Sequence, residues 1–284
     1  MCGPILGRNV RLSPDSDAPK VPSIATDQGS LHYEVFGRGH PVILLHGYQG
    51  SWGLWQAIME FLGGAYRTYA VDFWGFGESG ARRSSYALDD FVSLVDQFMA
   101  QMGIARAPLV GHSMGGTVAL LVAAAHPRRV EKVVAISAPI VGSSLRFFPR
   151  IFGLRPVGWL TYRNLWLYRW FYRTLAARYS RDPAWAAMMD RDVSHTALEA
   201  FFFSIASLRG ADLRPVLGGV TVPVLGMYGG RDNVVDPGQW TLLEAGLARV
   251  RTNHFPSSGH FIMLDEPVSF RNQLKAFLDG PLVM

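Results

Sequence analysis

The sequence predicts an α/β protein in which helices cover both faces of a mostly parallel, eight-stranded sheet. Three observations support this fold class: strand-like and helical segments alternate along most of the chain, the central strands are continuous apolar runs, and most of these runs end in glycine or serine. Alternation is typical of parallel sheets because a crossover helix returns the chain to the start of the next strand. Continuous apolar strands indicate a sheet that is buried on both faces.

The individual strands and helices follow from the spacing of apolar residues. Two strands flank the turn Asp27-Gln28-Gly29 in SIATDQGSLHYEVFG, and six more are predicted at PVILLHG, YRTYAVD, APLVGHS, VEKVVAIS, VPVLGMYGG and RTNHF. Apolar residues at helical spacing predict helices at 52–62, 87–102, 114–125, 239–248 and 261–278.

One long segment interrupts the alternation. From Pro139 to about Pro215 the pattern is only helical. We therefore predict a single α/β domain formed by residues 23–139 and 216–284, with a helical cap at 140–215 inserted after the sixth strand. Residues 1–22, rich in proline and serine, are expected to form a flexible arm that lacks the apolar run of a signal peptide. No run of about 18 uncharged apolar residues is present, so the predicted location is the cytoplasm.

Composition excludes several classes of protein. Hydrophobic residues are 49% and charged residues 17% of 284, which is too apolar for a disordered chain. Cys2 is the single cysteine, so the chain can form neither an internal disulfide nor a cysteine-based zinc site, and no metal or organic cofactor is indicated. The net charge of +5 is local: eight arginines and no acidic residue lie between Glu131 and Asp182. Such a distribution does not indicate nucleic-acid binding.

A nucleophile motif follows the fifth predicted strand. Gly111-His112-Ser113-Met114-Gly115 matches G-x-S-x-G, in which the serine lies on a sharp turn between a strand and a helix. The strained turn requires almost no side chain two residues before and two residues after the serine. The motif alone is weak, but an apolar strand precedes it and an alanine-rich helix follows it. We therefore predict Ser113 as the nucleophile.

A serine nucleophile needs a base to take its proton and an acid to orient that base. His260, in SSGHF, comes after the last predicted strand, and Asp232, in GGRDN, comes after the preceding one. Both positions fall at the carboxyl edge of a parallel sheet, where such folds bind ligands. Asp236 is an alternative acid four residues further on. The predicted order along the chain is Ser113, Asp232, His260.

These features together resemble the α/β-hydrolase superfamily, in particular its serine esterases and lipases with a helical cap. The resemblance covers most of residues 30–280 outside the insertion. It depends on five motifs in order: the HG turn at His46-Gly47, the D-x-x-G-x-G-x-S turn from Asp72 to Ser79, the GHSMG elbow, the G-x-x-D loop ending at Asp232, and the terminal GHF. Trp74 departs from members that carry a basic residue there, which affects the pocket wall but not the triad. Asp72 and Glu78 are expected to form their turn, and His46 to brace the turn after the third strand.

The resemblance implies a reaction and the groups that perform it. Ser113 would attack a carboxylic ester with an apolar acyl part, His260 would transfer the proton, and water would then hydrolyse an acyl-enzyme. The backbone N–H groups of Tyr48 and Met114 would form the oxyanion hole. The expected partner is a small-molecule ester, and the expected state is a monomer or a homodimer.

The serine triad does not by itself specify an esterase. Dehalogenases and epoxide hydrolases of this superfamily carry an aspartate at the elbow, so Ser113 disfavours both activities. Cofactor-free haloperoxidases and carbon–carbon-bond hydrolases use the same triad, and some hormone receptors keep a vestigial one. The alternatives are therefore a different enzyme or a non-enzymatic ligand-binding protein on the same scaffold.

The insertion combines aromatic residues with arginines. Leu165, Tyr168, Tyr172, Leu175 and Tyr179 recur at spacings of three and four, which places them on one face of a helix. We predict that its aromatics pack the cap and contact substrate from the pocket roof, at Trp166, Trp170, Phe171 and Phe202. The alternative is an interfacial surface on which arginine and tryptophan touch anionic lipid or another subunit.

Overall fold

The fold was analysed in a computed structural model of the chain. It describes residues 22–80, 84–146, 156, 159–160, 163–164, 166, 170, 173–174 and 179–282. Most of the predicted arm, part of the aromatic stripe of the insertion and Phe171 lie outside these residues. No helix in the described part of the chain has both the length and the apolar character needed to cross a bilayer.

The predicted eight-stranded, mostly parallel sheet is confirmed. Its order is β1-β2-β4-β3-β5-β6-β7-β8; β1 pairs with β2, and β2 with β4, in antiparallel fashion, whereas all other pairs are parallel. The strands are β1 (Ser23–Ala25), β2 (Ser30–Gly37), β3 (His40–Leu45), β4 (Tyr66–Val71), β5 (Ala107–His112), β6 (Val130–Ile136), β7 (Val224–Gly229) and β8 (Val250–Phe255).

Helices cover both faces of the sheet. Alternate residues of β3 show this directly, because Val42 and Leu44 belong to one buried cluster and Ile43 and Leu45 belong to the other. The helices among the described residues are α1 (Gln56–Leu62), α2 (Leu88–Gln101), α3 (Met114–Ala125), α4 (Ala184–Ser194), α5 (Leu198–Gly210), α6 (Arg214–Leu217), α7 (Gln239–Gly246), α8 (Ile262–Asp265) and α9 (Pro267–Asp279). Both surfaces of the central strands are therefore buried, as their unbroken apolar sequences predict.

One predicted helix is wrong in its continuity. Residues 261–278 form two helices, α8 and α9, separated at Glu266, whose backbone is not helical (φ −133°, ψ 61°). Pro267 explains the break, because a proline disfavours helical geometry at the preceding residue and lacks the N–H that a continuous helix would need. After Pro267, α9 is a regular helix that includes Arg271 and Leu274.

Between β6 and β7 the described residues are mainly helical. Helices α4, α5 and α6 follow a short 3₁₀ turn at Gly142–Ser144. Two hydrogen bonds fix the ends of this region: Arg146 N–H donates to the carbonyl of Val234, in the loop after β7, at 2.8 Å, and Leu213 N–H donates to the Ile140 carbonyl at 2.9 Å, which joins the two ends to each other. Helix α5 begins where Ala197 N–H donates to the Gly75 carbonyl at 2.7 Å. These bonds hold the helical region against the carboxyl edge of the sheet.

Candidate active site

Ser113 lies on the sharp turn between β5 and α3. Its backbone has φ 52° and ψ −119°, a conformation that costs a non-glycine residue about 1–3 kcal/mol. The surrounding contacts fix this geometry: a Cβ on Gly111 would overlap the Gly115 carbonyl, and a Cβ on Gly115 would overlap the carbonyl oxygens of Leu45 and His46. The two glycines of the motif are therefore required by close backbone approach, as the sequence predicts.

Asp232 and His260 form a buried pair at the same edge of the sheet. The distance from His260 Nδ1 to Asp232 Oδ2 is 2.7 Å, and the two residues are 3% and 4% exposed. The other carboxylate oxygen, Oδ1, accepts hydrogen bonds from the backbone N–H groups of Val234 and Val235 at 2.8 and 2.9 Å. Asp236 is exposed, and its Oδ1 accepts from Gly238 N–H instead. The structure thus brings Asp232, and not Asp236, to His260.

Ser113 and His260 line one cavity. Within the described part of the chain, no hydrogen bond joins the Ser113 hydroxyl to the His260 ring. Hydrogen bonds between a nucleophile and its base are often long before substrate binds, so this geometry is compatible with proton transfer. The second ring nitrogen of His260, Nε2, is the one left to face the nucleophile because Nδ1 binds Asp232.

The turn after β3 lies directly against the elbow. A Cβ on Gly47 would lie 3.1 Å from Ser113 Cβ, so the Gly47-Tyr48 backbone passes next to the nucleophile. Met114 begins α3, where the helix dipole favours a negative charge. The two predicted oxyanion positions, Tyr48 and Met114, therefore flank Ser113 from two sides.

His46 braces that turn. Its Nε2 accepts a hydrogen bond from the Phe73 N–H at 2.9 Å, and its Nδ1 donates to the Gly47 carbonyl at 2.7 Å. Complete burial lowers the pKa of His46, which keeps the ring neutral and fixes this tautomer. The structure agrees with the predicted bracing role.

His112, beside the nucleophile, is also neutral. Its Nε2 lies 3.0 Å from the His260 backbone carbonyl and donates to it. Burial, together with the positive charge that His260 can carry, holds the pKa of His112 well below its usual value. This hydrogen bond joins the loop of His260 to the turn that carries Ser113.

The Asp72 turn is structural, as predicted. Asp72 is completely buried and accepts hydrogen bonds from the Trp52 and Glu78 N–H groups at 2.6 and 3.0 Å and from the His32 ring at 2.8 Å. Burial lowers the pKa of His32, but the hydrogen bond and charge of Asp72, with Glu78 and Glu34, outweigh it and raise that pKa above its usual value.

The cavity has a volume of about 770 Å³, including its opening to solvent. Two walls enclose it, a floor and a roof, and they come from different parts of the chain. The floor comes from the sheet loops: Gly47, Tyr48, Gln49, Gly50, Leu54, His112, Ser113, Val234, His260 and Phe261. The roof comes from the region between β6 and β7: Leu145, Tyr179, Trp185, Met188, Met189, Asp192, Ile205 and Leu208. Most roof side chains are apolar, which suits an apolar part of a ligand.

The predicted substrate contacts in the insertion need correction. Trp166 and Trp170 are 70% and 60% exposed and do not line the cavity. Phe202 is half-buried, and its ring packs edge-on against Phe201 at 5.4 Å instead of reaching the cavity. Helix α5 contributes Ile205 and Leu208 to the cavity, whereas Phe202, about one turn earlier, packs against the buried cluster that contains Phe201. Phe171 lies outside the described residues.

The sequence analysis did not identify most of the cavity-lining residues, and three of them have distinctive environments. Trp185 stacks on Tyr179 at 5.2 Å and contacts Phe261 edge-on at 5.7 Å, so it links roof and floor. Gln49 is buried in the turn after β3 with a φ of 57°. Asp192 places a carboxylate among apolar roof residues. No sequence motif marks any of the three, because their positions depend on how the helices pack. Among the described residues, no group of three His, Cys, Asp or Glu side chains could hold a metal ion.

Comparison with known proteins gives a family and several relatives. A family model described as serine aminopeptidase, S33, matches residues 39–267. The putative carbamate hydrolase RutD of Variovorax paradoxus is 31% identical over 262 residues, which cover 87% of this chain and 96% of that protein. The pimeloyl-(acyl-carrier protein) methyl ester esterase of Vibrio vulnificus is 27% identical over 258 residues, or 87% of this chain and 97% of that protein.

Solved structures show the same fold. The enol-lactonase from Burkholderia xenovorans LB400 superimposes with a TM-score of 0.80 at 25% identity, over 91% of this chain and 100% of that one. A shorter match is to epoxide hydrolase 4 of Mus musculus, 34% identical over 113 residues, and there the chain spans only 32% of the relative. The similarity to RutD, to the methyl ester esterase and to the enol-lactonase therefore extends over most of the chain, whereas the similarity to epoxide hydrolase 4 is confined to one part of it.

Proposed function

Because the chain belongs to the serine aminopeptidase S33 family of α/β hydrolases and is an esterase-like hydrolase, we propose that it cleaves carboxylic esters with an apolar acyl part through Ser113, His260 and Asp232. The observation that carries the proposal is the convergence of a strained serine and a buried His–Asp pair on one cavity. A methyl ester esterase and an enol-lactonase among its relatives support an ester as the substrate class.

The proposed reaction begins with attack of Ser113 Oγ on the ester carbonyl carbon. His260 Nε2 takes the hydroxyl proton, and Asp232 holds the ring through Nδ1 and stabilises the imidazolium that forms. The backbone N–H groups of Tyr48 and Met114 stabilise the oxyanion; a donor of this kind contributes about 3–4 kcal/mol to the transition state. His260 then protonates the leaving alcohol, and a water molecule that it activates hydrolyses the acyl-enzyme.

The test is hydrolysis of p-nitrophenyl esters by the wild type and by Ser113→Ala. We expect the substitution to reduce turnover by a factor on the order of 10⁴–10⁶, because the other triad members contribute little without the nucleophile. Labelling of Ser113 by a fluorophosphonate probe reports whether the serine is activated. Unchanged turnover in a folded Ser113→Ala protein would contradict the proposal.

The same experiment separates the alternatives. A haloperoxidase or carbon–carbon-bond hydrolase would label with the probe but would turn over a panel of simple esters poorly. An inert Ser113 would favour a ligand-binding protein. We do not propose epoxide opening, despite the partial match to an epoxide hydrolase, since Ser113 occupies the elbow position at which that chemistry uses an aspartate.

We further propose that residues 140–215 form a cap that controls access to Ser113, while residues 23–139 and 216–284 supply the chemistry. Eight cavity-lining residues come from this segment, and none of them belongs to the proposed triad or oxyanion hole. Tyr48, whose hydroxyl donates to the Phe201 carbonyl at 2.9 Å, joins the cap to the proposed oxyanion turn.

The outer surface of the cap is proposed to contact anionic membranes transiently. Trp159, Trp166 and Trp170 are 52–70% exposed, and the Arg163 guanidinium lies 5.0 Å above the Trp159 ring. Exposed tryptophan beside arginine is typical of interfacial surfaces. Sedimentation with phosphatidylglycerol vesicles should exceed that with phosphatidylcholine vesicles and should weaken in Trp166→Ala/Trp170→Ala. Equal sedimentation with both lipids would contradict this contact.

A further inference from the structure

Asp192 is a buried carboxylate that the proposed reaction does not use. It lies near the end of α4, is 1% exposed, and lines the same cavity as Ser113 and His260. Burial of an ionised group in an apolar environment is costly unless hydrogen bonds and charges compensate it. The partners of its two oxygens therefore indicate what the residue does.

Only one of the two carboxylate oxygens of Asp192 accepts hydrogen bonds from the described residues. Asp192 Oδ1 accepts a hydrogen bond from the Ser51 hydroxyl at 2.9 Å and from Arg191 Nε at 2.9 Å. Asp192 Oδ2 is equally buried, yet no group in the described part of the chain donates to it. A buried acceptor without a donor destabilises the folded protein, because it has lost its hydrogen bonds to water.

A purely structural role explains Oδ1 but not Oδ2. The Ser51–Asp192 hydrogen bond attaches α4 to the turn after β3, and the Arg191 guanidinium fills the space beside Gly53, where a Cβ would overlap it. This attachment needs one acceptor oxygen. The second oxygen has no such role, and the residue that carries it lines the cavity together with the apolar side chains of Leu54, Trp185, Met188 and Met189.

The hydrogen bonds at Oδ1 indicate that Oδ2 is an acceptor. Burial raises the pKa of Asp192 above its usual value, and the charge of Arg191 and the hydrogen bonds from Ser51 and Arg191 limit that rise. Both hydrogen bonds require Oδ1 to be an acceptor, and both favour the carboxylate form. A ligand group that meets Oδ2 must therefore donate a hydrogen.

Charge balance selects the kind of donor. Arg191 already neutralises the carboxylate at close range, so a cationic ligand group would bring a second positive charge into a largely apolar cavity without a further anion on the roof. A neutral O–H or N–H group meets the acceptor without adding charge. A hydrogen bond to a charged acceptor is stronger than one between neutral groups, so it is enough to decide between related esters.

We infer that Asp192 is a specificity-determining residue that binds a neutral hydrogen-bond donor, a hydroxyl or amide N–H, on an otherwise apolar ester. The inference rests on the proposed ester hydrolysis. It assigns to the roof a polar recognition point at Asp192 Oδ2, while Ser51 and Arg191 hold the carboxylate in place through Oδ1.

The test compares esters that differ at one group. Two series of esters are used, one substituted at the end of the acyl chain and the other at the end of the alcohol. Each series contains a hydroxyl, a methoxy and an ammonium ester and the unsubstituted homologue. Release of the acid is followed by titration. In at least one series, the wild type should have a kcat/KM for the hydroxyl ester that is at least about 10-fold above that for the methoxy ester, and above that for the ammonium ester. Methoxy accepts but cannot donate, so this ratio isolates donation to Oδ2.

Asp192→Asn directs an amide toward the cavity and should lower the hydroxyl-to-methoxy ratio by about 10-fold or more. Asp190→Asn is the matched control: it lies on the same helix, its carboxylate pairs with Arg173 instead of the cavity, and the ratio should stay at the wild-type value. Ser51→Ala removes one of the two donors to Oδ1, while Arg191 still binds that oxygen and Oδ2 remains, so it should lower the ratio less than Asp192→Asn does.

The outcomes are distinguishable. If the wild type does not hydrolyse even the unsubstituted esters, the proposed function fails. If it hydrolyses them but prefers methoxy or ammonium over hydroxyl in both series, the assignment of Asp192 is wrong. An equal loss of the ratio in Ser51→Ala and Asp192→Asn would make Asp192 an attachment point only. The wild-type ratios decide the question even if Asp192→Asn does not fold.

Discussion

The floor and the roof of the cavity are held in place by different kinds of contact. On the floor, backbone groups fix the functional atoms: Gly115 lies against the carbonyl oxygens of Leu45 and His46, and two backbone N–H groups orient Asp232. On the roof, side chains make the contacts, as in the Trp185–Tyr179 stack. The backbone contacts on the floor are formed by turns at the ends of strands, whereas the side-chain contacts on the roof depend on how helices pack. The residues proposed for chemistry are therefore marked by short motifs, and those proposed for specificity are not.

The largest expected effect lies on the floor. Asp232→Asn should lower kcat for a p-nitrophenyl ester by a factor on the order of 10³–10⁴, because an amide partner can favour the wrong tautomer of His260. Asp236→Asn, at the exposed position four residues on, should change kcat little. The reverse ranking, measured by steady-state kinetics, would transfer the acid role to Asp236.

The next effect tests the steric basis of the elbow. Gly115→Ala places a methyl group against the Leu45 and His46 carbonyls and should lower the free energy of unfolding by about 3 kcal/mol, in addition to impairing turnover. Gly64→Ala is its control, because a Cβ there meets nothing within 4 Å. Equal stabilities of the two variants in urea denaturation would mean that the elbow is not tightly constrained.

A smaller effect, on KM, should distinguish roof residues that line the cavity from residues on the outer surface of the same segment. Met188 lines the cavity, so Met188→Ala should raise KM for the best ester by up to about 10-fold and shift the preferred chain length. Trp166→Ala, at an exposed position, should leave the preference unchanged. Both variants should still react with a small phosphonylating probe. Loss of that reactivity in a folded Met188→Ala protein would show that the roof takes part in the chemistry.

The smallest effect concerns the buried pair of His32 and Asp72, which does not line the cavity. Because the folded-state pKa of His32 is raised, its contribution to stability is complete below about pH 6.5 and is lost as pH rises through the folded-state pKa. The stability advantage of the wild type over His32→Gln should therefore shrink between pH 6 and pH 9. The exposed His254→Gln substitution is the control. An advantage that grows with pH would mean that Asp72 does not stabilise a charged His32.

Much of the floor was predictable from sequence because each of its requirements is local. The strand, the GHSMG turn and the helix Met114–Ala125 occur within 20 residues, and only a small residue fits at Gly111 and Gly115. The positions of Asp232 and His260 followed from the ends of successive parallel strands, which must meet at one edge. Pro267 also indicates a helix break at Glu266, but the helical spacing of apolar residues over 261–278 favours one continuous helix, and that prediction was wrong.

The roof was not predictable in the same way. Its composition indicates aromatic helices, but composition does not fix which side of a helix faces the cavity. The tertiary structure turns Trp166 and Trp170 outward and brings Trp185, Met189 and Asp192 inward, residues that no motif marks. The sequence by itself thus determined the fold class and the candidate nucleophile, base and acid, because local sterics and strand order constrain them. Only the packing of α4 and α5 against the sheet edge decided which side chains meet a ligand, since rotation of a helix about its axis depends on contacts between distant segments.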